Sequence, residues 1–255
     1  MMKRWGILSA LICMVAVFTV EAQSANPLRF VSWTAGDIAA VPQATLTLRS
    51  GLTLGVAAGS ILAVSHFDRR LSGEAKKFAN STAPRMRRVL HEVGNANIIR
   101  PMAAIVFVGS LTSGDIYFQD AAFTSLESIV LANLLTNTLK LVVGRARPHT
   151  DLGPNSFKPF GGVRSFPSGH ATTVFAFTTP WVLYYPGIAS GALFVLGIGT
   201  AAVRMADEYH WFSDVLGGAL IGFGTGYLLS RRHQRLAGGP QLGLSANMIS
   251  LTWTI

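Results

Sequence analysis

Cysteine is nearly absent from this chain of 255 residues. Cys13 alone allows neither a disulfide framework nor a cysteine-rich zinc site. Charge is also scarce: Asp, Glu, Lys and Arg make up 13% of the residues, against about 25% in ordinary soluble domains. That composition excludes a disordered chain, a coiled coil and a collagen-like repeat. The acidic residues are the scarcer sign, 12 against 21 Lys and Arg, so the formal net charge is +9. Such an excess suits phosphorylated substrates or acidic lipid headgroups. No nucleic-acid partner is expected, because the chain has no dense Lys/Arg face interleaved with stacking aromatics. Internal repeats and low-complexity tracts are missing as well.

What the chain does have is apolar surface. Half of its residues are hydrophobic and its mean hydropathy is +0.41. Lys3 and Arg4 precede an almost unbroken apolar run from Ile7 to Val20, and Val20-Glu21-Ala22 resembles a small-residue cleavage site. That order predicts a secretory signal peptide over 1–22 or, if it is not cleaved, an N-terminal anchor. Residues 23–45 read as a loop leading into a helix, and 46–66 as an apolar stretch rich in Gly and Ala. Residues 67–97 are polar and basic, which fits a solvated loop or surface helix, or a helix lying on anionic headgroups.

Five apolar segments follow, at 101–114, 121–143, 171–185, 187–203 and 213–230. From Ala171 to Val203 there is no charged residue or histidine, and Pro186-Gly187 breaks the run into a helical hairpin. Glu127, Asn133 and Asn137 polarise the 121–143 segment, whose polar stripe must face other helices or a cavity. Several segments are at or below the 17–25 residues, roughly, of a membrane-spanning helix, so a soluble but apolar bundle is the alternative. The expected fold is all-α: a membrane-embedded helical bundle with five or six apolar helices. Beyond Gly238-Gly239-Pro240, Ile249, Leu251, Trp253 and Ile255 alternate with polar residues, and a partner strand holds Leu242 and Leu244. Period two predicts a short C-terminal β-hairpin.

Three clusters carry chemistry. Lys140 and Arg147-Pro148 are spaced by about two helical turns, which would put both cations on one face. Arg offers a planar fork for phosphate oxygens, although interfacial anchoring explains basic residues here equally well. Pro167-Ser168-Gly169-His170 stands directly before the uncharged run. Ser is a common helix cap, helix N-terminal amides bind anions, and a histidine there can donate a proton; an ordinary capping turn also fits. The third cluster runs from Arg204 through His210 to Asp214. A four-residue spacing places His210 and Asp214 on one helical face, where a carboxylate orients an imidazole; a plain i,i+4 pair is the structural alternative. His66, His91, His149 and His233 show no zinc-ligand spacing.

Together the order Lys-x6-Arg-Pro, Pro-Ser-Gly-His, Arg-x5-His-x3-Asp resembles the type 2 phosphatidic acid phosphatase superfamily. This superfamily includes bacterial lipid phosphatases, class A acid phosphatases and vanadium haloperoxidases. Val203 departs from it, standing where the family usually has Ser before the third arginine. The resemblance implies a phosphatase bundle over 98–235, after an N-terminal helical and basic region over 23–97 and before a tail over 236–255. It implies that His210 attacks phosphorus to form a phosphohistidine, that Asp214 orients it, and that His170 protonates the leaving group and then activates water. Lys140, Arg147, Ser168, Gly169 and Arg204 would bind the phosphate. The implied substrates are lipid phosphate monoesters or diphosphates, hydrolysed without a metal or other cofactor. The implied site is a multi-pass protein of the cytoplasmic membrane, with catalysis on its outer side. A secreted phosphatase of soluble monoesters, a haloperoxidase and a non-catalytic membrane protein are the competing readings. Arg145, Arg164 and His149 could shape a headgroup site or merely keep a loop soluble.

Overall fold

A computed structural model describes residues 27–45, 47–81, 84–162, 164–237, 241–245 and 248–252. The signal-like segment over 1–22 and the Gly238-Gly239-Pro240 stop lie outside the described residues. The helices are α1 (Leu28–Thr45), α2 (Leu48–Ser65), α3 (Asp68–Ser81), α4 (Pro84–Val93), α5 (Ala96–Ser110), α6 (Ile116–Val143), α7 (Gly169–Tyr184), α8 (Ile188–Ala206) and α9 (Phe212–Leu236). Strands β1 (Gln241–Ser245) and β2 (Met248–Thr252) pair antiparallel, with Gln241 opposite Thr252.

The structure refines two expectations. Within 23–45, expected as a loop leading into a helix, Leu28–Thr45 is already an 18-residue helix. The basic 67–97 segment forms two largely exposed helices, α3 and α4, as the surface-helix reading expects, but Asp68 at its start is 0% exposed. Its carboxylate has an ion-pair partner inside the bundle. The five apolar segments do form helices, and α7 and α8 pack together across the Pro186-Gly187 break. Three of the described helices, α6, α8 and α9, are long and apolar enough to cross a membrane. A fourth span arises if α2 and α3, bent by 70° at their junction, count as one.

Local signals explain the boundaries. Asp115 caps α6 by accepting from the Phe118 amide at 3.0 Å, and Gly144 ends it with φ of 58°, a left-handed conformation that favours glycine. At the centre lies α7, buried continuously from Ala171 to Pro180 and packed against α5, α6, α8 and α9. Its threonines turn inward without orphaning their hydroxyls: Thr172, Thr173, Thr178 and Thr179 each donate to the carbonyl four residues back, at 2.7–3.0 Å. Large aliphatic side chains point outward instead, with Leu134, Val195 and Leu228 all more than half exposed. Hydroxyls inside and aliphatics outside is the arrangement an apolar solvent selects.

Glycines set the depth of the α7–α9 contact. A Cβ on Gly218 would lie 2.3 Å from the Ser168 carbonyl oxygen, and one on Gly222 would lie 2.4 Å from that of Thr172. One helical face of α9 is thus stripped of side chains, and the start of α7 sits directly on the start of α9. That contact brings the second and third sequence clusters together.

Candidate active site

The first cluster is not one helical face. Helix α6 stops at Val143, so Lys140 belongs to its last turn while Arg147 lies beyond it in extended backbone. A Cβ on Gly144 would come within 1.9 Å of the Lys158 carbonyl oxygen, so the residue is required for space as well as for its φ. The following chain folds back on itself. Ala146 donates to the Ser156 carbonyl at 2.9 Å, Lys158 to that of Gly144 at 2.8 Å, and Ser165 to that of Arg145 at 2.8 Å. Residues 145–165 therefore cross the end of the bundle and deliver Arg147 and Ser165 to the same end as Lys140.

The third cluster is corrected in the same way. Helix α9 begins at Phe212, so His210 precedes it, and Asp214 caps it by accepting from the Trp211 amide at 2.9 Å. His210 Nδ1 is 3.8 Å from Asp214 Oδ2, beyond hydrogen-bond length. Ser165 stands between them, donating to Asp214 Oδ2 at 2.5 Å with its oxygen 3.4 Å from His210 Nδ1. The other carboxylate oxygen, Oδ1, receives Arg145 Nη1 at 2.7 Å. Arg145 is itself gripped: its Nη2 donates to Asp68 Oδ2 at 2.7 Å and its Nε to the Pro154 carbonyl at 2.8 Å. Asp68 also accepts from the Ser213 amide at 2.9 Å and from its hydroxyl at 2.6 Å. A closed ionic network thus runs from α3 through Arg145 to the carboxylate behind His210.

Sequence reasoning missed Asp68, Ser165 and Ser213. Ser165 lies three residues before Ser168, and that proximity was the one signal available. Asp68 and Ser213 meet only through tertiary folding. Arg145 is a buried strut, not a headgroup contact. Arg164 is exposed, while His149 is anchored with Nδ1 3.0 Å from the Glu208 carbonyl oxygen.

The remaining cluster residues converge on His210. Ser168 donates its amide to the Asp214 carbonyl at 2.8 Å, and its hydroxyl caps α7 by accepting from the Ala171 amide. Ser168 is fully buried, so the open face of this turn belongs to Gly169 and His170, whose amides have no partner within the helix. Lys140 reaches over the same turn: its Cε would lie 3.7 Å from a Cβ on Gly169, and its Nζ donates to the Arg164 and Ser165 carbonyls at 2.9 and 3.2 Å. Arg147 and Arg204 share the ring of Tyr209, with guanidinium carbons 6.0 and 5.8 Å from its centroid. Arg204 is 6% exposed and its Nε is buried without a hydrogen-bond partner. Among the described residues neither arginine forms an ion pair. Two guanidinium groups without a counter-anion make a receptor for one. The carboxylates beside them are engaged elsewhere, Asp207 with Arg87 and Glu208 with Lys76 at 2.7 Å.

Both histidines are held neutral. Burial lowers the pKa of His210 below its ordinary value, against the pull of Asp214. His170 is pushed down to about 3, by burial first and then by the positive charge of Arg204. A neutral His210 has a lone pair for attack, and Nε2 is its free nitrogen because Nδ1 faces Ser165 and Asp214. The site offers few oxygen ligands for a metal, since both oxygens of Asp214 are already bonded. At the opposite end of the bundle His233 has partners that spacing does not show. His233 meets Asp37 and Glu127, two carboxylates from other helices that spacing along the chain could not connect to it.

The family model of the PAP2 superfamily matches residues 121–237. Lipid A 1-phosphatase of Rhizobium etli is 40% identical over 100 residues, covering 37% of this chain and 43% of the relative. That of Rhizobium johnstonii is also 40% identical over 100 residues, covering 37% and 41%. The chain thus matches less than half the length of these relatives. Among solved structures, the transmembrane PAP2-type phosphatidylglycerolphosphate phosphatase of Bacillus subtilis superposes with a TM-score of 0.51 at 20% identity, covering 82% of this chain and 98% of that one. This likeness shows a shared helical fold. With the three clusters gathered at one end of it, residues 121–237 belong to the PAP2 superfamily.

Proposed function

We propose that this protein is a membrane phosphatase that hydrolyses lipid phosphate monoesters or diphosphates through a phosphohistidine. The observation that carries the reading is a buried, neutral His210 beside two guanidinium groups without counter-anions, at the end of a bundle with an aliphatic exterior. Phosphoryl transfer depends chiefly on in-line positioning and charge neutralisation. Arg147, Arg204 and Lys140 supply the charge, and the apolar exterior lets an acyl tail stay in lipid while its headgroup enters from water. His210 Nε2 attacks phosphorus as the bond to the leaving oxygen breaks, and His170, which takes a proton from the entering phosphate monoanion, passes it to that oxygen. In the second half His170 takes a proton from water, the oxygen attacks phosphorus, and the nitrogen–phosphorus bond breaks. The three cations do the work that a divalent ion does elsewhere, so catalysis is metal-independent. The relatives named for lipid A, and the structural neighbour named for phosphatidylglycerolphosphate, support a lipid headgroup as substrate.

The test is phosphate release by purified protein from a panel of lipid and soluble phosphates, with labelled phosphate trapped on the chain. A lipid phosphate should be preferred, and His210→Ala should lose both label and turnover, by about 10⁴-fold or more. Label retained by that variant, or preference for soluble esters, overturns the reading. Catalysis on the outer side of the cytoplasmic membrane is part of the same proposal, and an alkaline phosphatase reporter fused after residue 160 should then be active.

A further inference from the structure

Helix α9 carries a second histidine cluster near its other end. His233 lies 19 residues beyond Asp214, about 28 Å along the helix at 1.5 Å per residue. Its Nε2 is 2.7 Å from Asp37 Oδ2 of α1 and 3.6 Å from Glu127 Oε2 of α6. All three side chains are buried, and one ligand atom from each falls within 4.8 Å of the others. The neighbourhood fixes the imidazole. Nδ1 is 2.8 Å from Thr124 Oγ1, whose own hydrogen is donated to the Asp120 carbonyl at 2.6 Å. Nδ1 must therefore be the donor, and in a neutral ring Nε2 turns a lone pair toward two carboxylates. Trp33 stacks on the ring with centroids 4.4 Å apart, closing that side with indole.

Glu127 is the telling residue. It is 6% exposed, yet neither carboxylate oxygen makes a hydrogen bond of good geometry. Asp37 has a cationic neighbour, since Arg232 Nε lies 2.5 Å from its Oδ1. Two carboxylates, one guanidinium and a neutral imidazole leave one negative charge unbalanced in an apolar interior, which is costly. Ligand atoms around tetrahedral zinc, with bonds of about 2.0–2.1 Å, stand about 3.3 Å apart. The measured separations of 2.7 and 3.6 Å bracket that value. The ring hydrogen-bonded through its other nitrogen is a typical support of a metal site.

We propose that Asp37, Glu127 and His233 bind one divalent ion of the zinc class. The donor set of one imidazole and two carboxylates suits zinc and its neighbours better than magnesium or calcium. The ion is remote from the phosphate cradle and takes no part in the reaction. It clamps α1, which lies outside the matched 121–237, to α6 and α9. The competing occupant is a proton, which would make His233 an imidazolium between the two carboxylates.

The test uses the full chain in detergent, with no histidine tag, stripped of metal and then titrated with Zn²⁺ or Co²⁺. Bound metal is counted by elemental analysis after gel filtration, the Co²⁺ form is read by visible absorption, and unfolding is followed thermally. The expected result is one ion per chain, a tetrahedral Co²⁺ spectrum and a raised unfolding temperature. Glu127→Gln should weaken binding at least tenfold, whereas His210→Ala should keep the ion. Wild-type protein that binds less than a tenth of an equivalent at saturating metal overturns the proposal and assigns the place to a proton. So does loss of the ion in His210→Ala with retention in Glu127→Gln, which puts the metal at the other end. Neither outcome bears on phosphate release, so the phosphatase reading stands or falls separately.

Discussion

The two ends of α9 hold the same residue types with opposite electrostatic balance. At its start Asp214 and Asp68 are bonded at both oxygens, and among the described residues Arg147 and Arg204 have no ion-pair partner. Toward its end Arg232 is paired with Asp37 and Glu127 is left over. His210 is 3.8 Å from its carboxylate and keeps Nε2 free, whereas His233 is engaged at both nitrogens. What a buried polar cluster takes in is therefore set by which sign remains unpaired, more than by the presence of histidine and aspartate. The first cluster has the balance of an anion receptor with a nucleophile in it, and the second that of a cation clamp.

The comparison can be broken most severely by pushing the first cluster apart. Gly218→Ala places a methyl group 2.3 Å from the Ser168 carbonyl oxygen, a backbone atom that cannot rotate away. Overpacking of this kind costs about 1–3 kcal/mol, and here the displaced segment carries Gly169 and His170. Phosphate release should fall by about 10²-fold, as misplacement of about 1 Å commonly does, with a lower unfolding temperature. Gly224, six residues further along α9, has open space where its Cβ would be. Gly224→Ala should stay within about twofold of wild type, and equal losses in the two variants would refute the close-contact explanation.

Asp68→Asn tests whether the carboxylate behind His210 is held from outside the matched domain. The substitution keeps the shape but turns an amide toward Arg145, breaking a buried pair of the kind worth about 3–5 kcal/mol. Arg145 then pulls on Asp214 alone. The expected result is a fall in kcat of about 10- to 100-fold with KM changed by less than about threefold, because the phosphate cradle itself is untouched. A change confined to KM would mean that α3 acts on substrate entry instead.

These two variants also mark the limit of reading from the sequence. The helical segments were visible as uncharged runs, and His170, Arg204, His210 and Asp214 as motif residues, because those signals are local along the chain. The geometry among them was not. Periodicity placed Lys140 and Arg147, and then His210 and Asp214, on single helical faces, but a left-handed Gly144 ends one helix early and Trp211 starts the other late. Asp68 falls in the polar 67–97 segment, whose charge content suggests a solvated loop or surface helix. Its real partners are 77 and 145 residues away. Within 23–45, where Pro27, Gly36 and Pro42 suggest a loop leading into a helix, the helix already starts at Leu28, and its aromatic face, Phe30 and Trp33, finds Phe107 and Phe123 on other helices.

The smallest expected effect concerns protons. His170 is held down to about 3, so it is neutral from weakly acidic pH upward, and His210 is shifted in the same direction. The reaction needs one proton on His170, and a phosphate monoester brings it by entering as the monoanion. The second pKa of such an ester is about 6. The productive pair is then neutral His170 with monoanionic substrate, so His170 should add no acid limb to kcat/KM near pH 6, and kcat/KM should fall tenfold per unit above about pH 6. A His170 with an ordinary value near 6.5 would add a second limb, with kcat/KM falling below about pH 6 as the dianion disappears. The measurement is kcat/KM for one monoester in one detergent between pH 4 and 8, with unfolding temperatures taken at each pH to exclude denaturation. A clear acid limb near pH 6 would show that the cations around His170 do not suppress its charge. The first cluster would then be less positive in effect than its count of cations suggests, and the contrast between the two ends of α9 would weaken.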